Sequence, residues 1–179
     1  FVLDDGWFKG RNDDTSSLGD WVIDRTKFPD GLSPLIDHVK SKGMRFGLWF
    51  EPEMVNRHSD LFRAHSEYMI GPDDQPSGRQ QHVLDMANPE VRAHLFNQID
   101  AILSANEIDY IKWDHNRPLT GGGPEQARGF MTLLGDLVQA HPAVDFESCS
   151  SGGGRIDFGV LELANRVWLS DSNDALERL

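Results

Sequence analysis

The chain has 179 residues, 39% hydrophobic and 26% charged, which suits one folded globular unit and excludes both disorder and a repeat array. Its formal net charge of −12 argues against a nucleic-acid partner and against anionic membranes, because phosphate surfaces call for basic ones. The single cysteine, Cys149, permits neither an internal disulfide nor a cysteine-rich zinc site, and no run of about 18 apolar residues is present to span a bilayer.

In chain order, Val2-Leu3 ending in Asp4-Asp5 reads as a first strand. It stands at the very start with neither an initiator Met nor a basic leader, so an internal piece of a longer protein is expected. The compartment stays open, with the cytoplasm favoured. Leu32, Leu35, Ile36 and Val39 have the three-and-four spacing of a buried helical stripe, and Ser33-Pro34 reads as a capping side chain before a first-turn proline. Residues 44–50 form an apolar run that ends in Glu51. The Asp-, Pro- and Gly-rich stretch 71–78 predicts a loop, and His82-Val83-Leu84-Asp85 a short extra strand or loop inside the same connection. Val91, Leu95, Ile99 and Ile102 predict a second helix behind Asn88-Pro89. A strand over 109–113 ends in Asp114, and Phe130, Leu133, Leu134 and Leu137 predict a third helix. Two last strands, 144–146 and 167–169, end in Glu147-Ser148-Cys149 and in Ser170-Asp171.

Strand alternating with helix predicts a parallel sheet with right-handed crossovers, covered on both faces. The residues capable of chemistry all stand at the carboxyl ends of strands, where (β/α)8 barrels place their sites. The expected fold is therefore α/β, a (β/α)8 TIM barrel left incomplete, with about five of its eight strands present and sheet edges exposed. A doubly wound open sheet is the alternative, although no Gly-x-Gly-x-x-Gly follows the first strand.

Lys112-Trp113-Asp114 is the most informative triplet, because residues two apart on a strand share a face. An ammonium beside a carboxylate favours its ionised form, which a carboxylate nucleophile needs; a structural ion pair would look the same. In Ser170-Asp171-Ser172-Asn173-Asp174, behind Trp168, burial against an aromatic and the charge of Asp174 would raise the Asp171 pKa, as an acid/base requires. A helix N-cap cluster is the plain alternative there. Asp4-Asp5-Gly6-Trp7-Phe8 offers carboxylates for vicinal hydroxyls and an aromatic face for a sugar ring. A divalent metal ranks lower, since no spaced series of oxygen ligands follows. The Gly-rich turn Cys149 to Arg155 lacks the spacing of a phosphate loop, and the seven histidines include no His-Glu-x-x-His pair, so most are expected on the surface or in packing.

Together these segments resemble glycoside hydrolase family 36, the α-galactosidases or melibiases. The resemblance runs nearly end to end through Asp4-Asp5-Gly6-Trp7-Phe8, Gly19-Asp20-Trp21, Lys27-Phe28-Pro29, Trp49-Phe50-Glu51-Pro52-Glu53-Met54, Val83-Leu84-Asp85, Asn88-Pro89-Glu90-Val91, Lys112-Trp113-Asp114-His115-Asn116-Arg117, Glu147-Ser148-Cys149-Ser150-Ser151-Gly152-Gly153-Gly154-Arg155 and Ser170-Asp171. It implies a retaining hydrolase of terminal α-D-galactosides such as melibiose and raffinose, with Asp114 as nucleophile and Asp171 as acid/base. Asp4 and Asp5 would hold the galactose 4- and 6-hydroxyls. Trp49, Arg79, Lys112, Asn116, Cys149, Gly152 and Trp168 would line the rest of the subsite, with Asp174 in support. Residues 1–179 would be the central part of one catalytic domain, lacking the first and the last two barrel strands and flanking β-domains. No metal or organic cofactor is implied, and the full-length enzyme is expected to be a homo-oligomer. An α-N-acetylgalactosaminidase or a galactosyl transferase resembling raffinose synthase is the near alternative. A sugar-binding homologue without activity and a phosphate-binding barrel enzyme are more distant ones. His115 and Asn173 depart from the family pattern, which carries Met and Thr there.

Overall fold

A computed structural model describes residues 1–72, 74–119, 121–172 and 176–177. Its elements are β1 (Val2–Leu3), α1 (Ser33–Ser41), β2 (Gly47–Phe50), β3 (Met54–Val55), α2 (Asp60–Ala64), a 3₁₀ turn (Ser66–Tyr68), β4 (His82–Val83), α3 (Pro89–Ala105), β5 (Tyr110–Trp113), α4 (Gly123–Ala140), β6 (Asp145–Ser148), α5 (Phe158–Leu163) and β7 (Arg166–Val167). Five strands make one parallel sheet in the order β1-β2-β5-β6-β7, which is their order in the chain. A doubly wound sheet reverses its strand order at a switch point; this sheet does not. The expected extra strand is β4, which pairs antiparallel with β3 in the long connection after β2.

Alternation along the strands separates two environments. Leu48, Phe50, Ile111, Trp113 and Phe146 are all buried and share one core with Ile36 and Val39 of α1, Leu95 and Ile99 of α3, and Leu133 and Leu137 of α4. Each such side chain contributes about 1.5–3 kcal/mol on leaving water. The opposite row is different: Tyr110, Lys112, Glu147, Arg166 and Trp168 line a cavity of about 460 Å³. The strands therefore do not carry the uniformly apolar cover expected on both faces. The helices seal one face, and charged and aromatic side chains furnish the other.

The helices form where the apolar stripes predict, with differences at their starts. Asn88 caps α3 by accepting the Glu90 N–H at 2.8 Å, ahead of Pro89. Ser33 caps nothing; it lies inside α1, and the N-cap is Leu32, already in helical φ/ψ and without a side chain to accept. Helix α4 starts well before its stripe, behind Gly122 and with Pro124 in its first turn. It comes close to the preceding connection because Gly129 has no Cβ, which would fall 1.8 Å from the Met86 carbonyl oxygen. Helices α2 and α5 carry too few turns to show a stripe and are marked instead by caps, with Ser59 accepting from Phe62 N and Asp157 from Val160 N. Strand β7 stops two residues short of the expected end, since the Leu169 carbonyl leaves the ladder and accepts from Gly153 N at 3.1 Å.

Candidate active site

Every parallel strand delivers side chains from its carboxyl end into one region, and Asp114 is its centre. Asp114 follows β5 and is 7% exposed. Its Oδ2 accepts from Asn116 Nδ2 at 2.6 Å and from Trp49 Nε1 at 3.2 Å, and its Oδ1 accepts from the His115 N–H at 2.9 Å. The buried Cys149 thiol bonds Asp114 as well. Burial first, and then that bond and the charge of Asp114, push the thiol up to about 12, so it stays a neutral donor.

Lys112, expected to pair with Asp114, reaches further. Its Nζ donates to Asp4 Oδ2 at 3.3 Å and stands 4.8 Å from the centre of the Trp168 ring. Burial would lower its pKa, but the charge and hydrogen bond of Asp4, with the charge of Asp114, overcome it, and the ammonium is held above its ordinary range. Trp168 in turn donates from Nε1 to Asp171 Oδ1 at 2.7 Å. One lysine thus connects Asp4, the indole that steadies Asp171, and the strand that ends in Asp114. Asp171 is exposed, and Trp168 meets it through the indole N–H rather than by the packing against the ring that was expected.

The other expected residues divide. Asn116 sits between Asp114 and Glu51, and its Oδ1 accepts from Ser151 Oγ at 3.3 Å. Gly152, at φ 88°, turns its backbone against the strand-end loop of β7; a Cβ there would lie 2.9 Å from Leu169 O. It faces the segment that carries Asp171. Asp5 is gripped by Arg11, whose Nη2 donates at 2.8 Å and Nε at 3.0 Å, while the Asp5 N–H closes onto Asp4 Oδ1. Arg79 is exposed, has φ 51°, and acts on Glu51 through its charge. Trp7 and Phe8 are buried in a ring cluster with Trp21, Trp49 and Phe50, so the sugar-stacking role expected of the tryptophan is not available to Trp7. Asn173 and Asp174 lie outside the described residues.

Sequence reasoning missed two buried acids of the Trp49-to-Met54 segment. Glu51 accepts the Asn116 N–H at 2.6 Å and Gln81 Nε2 at 2.9 Å, and burial followed by the charge of Asp114 raises it to about 7. Glu53 accepts Arg155 Nη1 at 2.8 Å and Trp113 Nε1 at 3.0 Å, with His115 Nδ1 at 3.4 Å. Burial opposes its charge, but Arg155 and His115 overcome it and hold Glu53 down at about 2. Acids directly after a wholly buried strand were the available signal. His82, another buried side chain, is pushed down to about 4 by burial and by the guanidiniums of Arg57 and Arg117. Among the described residues no group of three His, Cys, Asp or Glu side chains gathers to hold a metal ion, and no helix is long and apolar enough to cross a membrane.

This arrangement has close counterparts. An α-galactosidase of Escherichia coli is 51% identical over 187 residues, covering 99% of this chain and 26% of its own length. The galactosidase domain of the α-galactosidase–sucrose kinase AgaSK superposes with a TM-score of 0.93 at 42% identity, covering 99% of this chain and 26% of that one. A variant of the GH36 α-galactosidase AgaA from Geobacillus stearothermophilus, in complex with raffinose, gives a TM-score of 0.92 at 38% identity, with 99% and 27% coverage. The chain spans about a quarter of the length of these relatives. All of residues 1–179 match the Melibiase family, and the chain belongs to it.

Proposed function

We propose that residues 1–179 are the central part of a (β/α)8 catalytic domain in a longer, homo-oligomeric enzyme that hydrolyses terminal α-D-galactosides of the melibiose and raffinose type with retention. The strand order without reversal, the helix-covered outer face and the polar inner face support the barrel. AgaA variants in complexes with raffinose and with stachyose support the substrate class. The observation that carries the reading is the carboxylate of Asp114, buried at a strand end and aimed by donors from three strands' ends.

In this scheme Asp114 Oδ1 attacks the anomeric carbon while Asp171 gives its proton to the departing glycosidic oxygen. Asp171 then takes a proton from water, which attacks the same carbon and frees Asp114. Two inversions restore the α configuration, and they require the two carboxyl groups to stand roughly 5–5.5 Å apart. Asp4 and Asp5 accept from sugar hydroxyls, with Lys112 donating beside them. Trp49, Asn116 and Cys149 keep Asp114 aimed, Trp168 steadies Asp171, and Arg79 and Gly152 complete the rim. The carboxylates perform the whole reaction, so no cofactor enters it.

The test is azide rescue in the full-length enzyme. Asp114→Ala abolishes turnover, and added azide restores it with β-galactosyl azide as product; an α-azide would reverse the assignment. Asp171→Ala slows substrates with poor leaving groups far more than activated aryl galactosides, and equal losses would remove its acid role.

A further inference from the structure

Glu51 has no part in the scheme above, yet it is among the most buried acids described, 1% exposed. It follows β2 directly, and both carboxyl oxygens are engaged, Oε1 by the Asn116 main chain and Oε2 by the Gln81 side chain. The charged groups that act on it are Asp114 and the exposed Arg79, and neither of them is its hydrogen-bond partner. A buried carboxyl beside a second carboxyl is a costly choice where glutamine or leucine would fill the space, so its retention asks for a reason. Asn116 supplies one. It presents its backbone N–H to Glu51 at 2.6 Å and its side-chain amide to Asp114 Oδ2 at 2.6 Å.

We propose that Glu51 is a positioning residue for Asp114: by holding the Asn116 main chain it sets the side-chain amide on Oδ2 and so turns Oδ1, which the His115 N–H steadies, toward the anomeric carbon. The inference rests on Asp114 being the nucleophile. Burial and the charge of Asp114 keep Glu51 neutral through the acid range, so it holds the turn without opposing the nearby carboxylate. The geometry is sensitive, because a displacement of about 1 Å at a reacting group costs on the order of 100-fold in rate.

The experiment uses the full-length enzyme. Glu51→Ala lowers kcat roughly 100-fold while KM stays within about threefold, the pattern of a lost transition-state interaction. Glu51→Gln recovers most of the loss, since its amide oxygen still accepts from Asn116 and a turned Gln81 amide accepts from its nitrogen. The Glu51→Ala, Asn116→Ala double variant is no slower than Asn116→Ala alone, because both act on the same bond. A kcat within about threefold of wild type for Glu51→Ala, a Glu51→Gln enzyme as slow as Glu51→Ala, or additive losses would overturn the proposal. If Glu51→Ala does not fold, Glu51→Leu, which fills the space, decides by the same thresholds. Normal Glu51 variants beside an intact β-azide product from Asp114→Ala sink only this inference; loss of that product sinks the nucleophile assignment itself.

Discussion

Arg155 and Glu53 join the Gly-rich turn after β6 to the segment after β2, with Nη1 2.8 Å from Oε1 across 102 positions of chain. The guanidinium also lies over the Phe130 ring of α4, 3.7 Å from its centre. Glu53 is fully enclosed, so this partner is what makes its charge tolerable.

Arg155→Met therefore leaves a buried carboxylate short of its cation and destabilises the full-length protein by about 3–5 kcal/mol. The folded pKa of Glu53, about 2, lies below its ordinary 4.5, so the pair's stabilisation is complete above pH 4.5 and disappears as pH falls toward 2. Thermal melts should show a gap between wild type and variant that is widest near neutrality and narrows in acid. Adding Glu53→Gln recovers part of the loss. A gap that does not vary with pH would mean that packing on Phe130 is the whole effect.

Glu51 has the opposite sign. Its folded pKa, about 7, stands above 4.5, so the neutral form costs nothing below pH 4.5 and a penalty grows as pH rises through 7. At about 1.36 kcal/mol per unit the full penalty is about 3 kcal/mol. Glu51→Gln should match wild type in melting temperature near pH 4 and exceed it at pH 8. Equal melting temperatures at pH 8 would show that the carboxyl is not a buried acid of this kind.

Gly152→Ala tests the turn behind Asp171. The position has φ 88°, which costs a non-glycine residue about 1–2 kcal/mol, and the new methyl meets the Leu169 carbonyl. The displacement passes to the segment bearing Asp171, so under the proposed acid role hydrolysis of melibiose by the full-length enzyme should fall more than that of an activated aryl galactoside. Proportional losses on both substrates would place Gly152 in sugar contact instead.

Much of this site was legible because strand alternation is a local rule. Lys112 and Asp114 two apart, or Asp4 after Val2, declare a shared face from the chain alone. Whether Trp7 covers a sugar or fills a core is not local, since it depends on Trp21, Trp49 and Phe50 closing over it. The same applies to Lys112, whose bond goes to Asp4, 108 positions away, and to the Glu51–Asn116 and Glu53–Arg155 bonds. Ser33 misled for a finer reason. A capping serine needs extended backbone at its own position, and the helix begins one residue too early for it.

The division of β5 into a helix-facing row and a cleft-facing row bears on how this chain tolerates insertion and deletion. One residue gained or lost within Tyr110–Trp113 would rotate every following side chain by half a turn, driving the Trp113 indole into the cleft and Asp114 beneath α4. Changes of length keep the two rows apart only beyond the strand ends, where a loop absorbs them before the next helix starts. The register of β5 therefore fixes which of its side chains reach Asp114 and which reach α4.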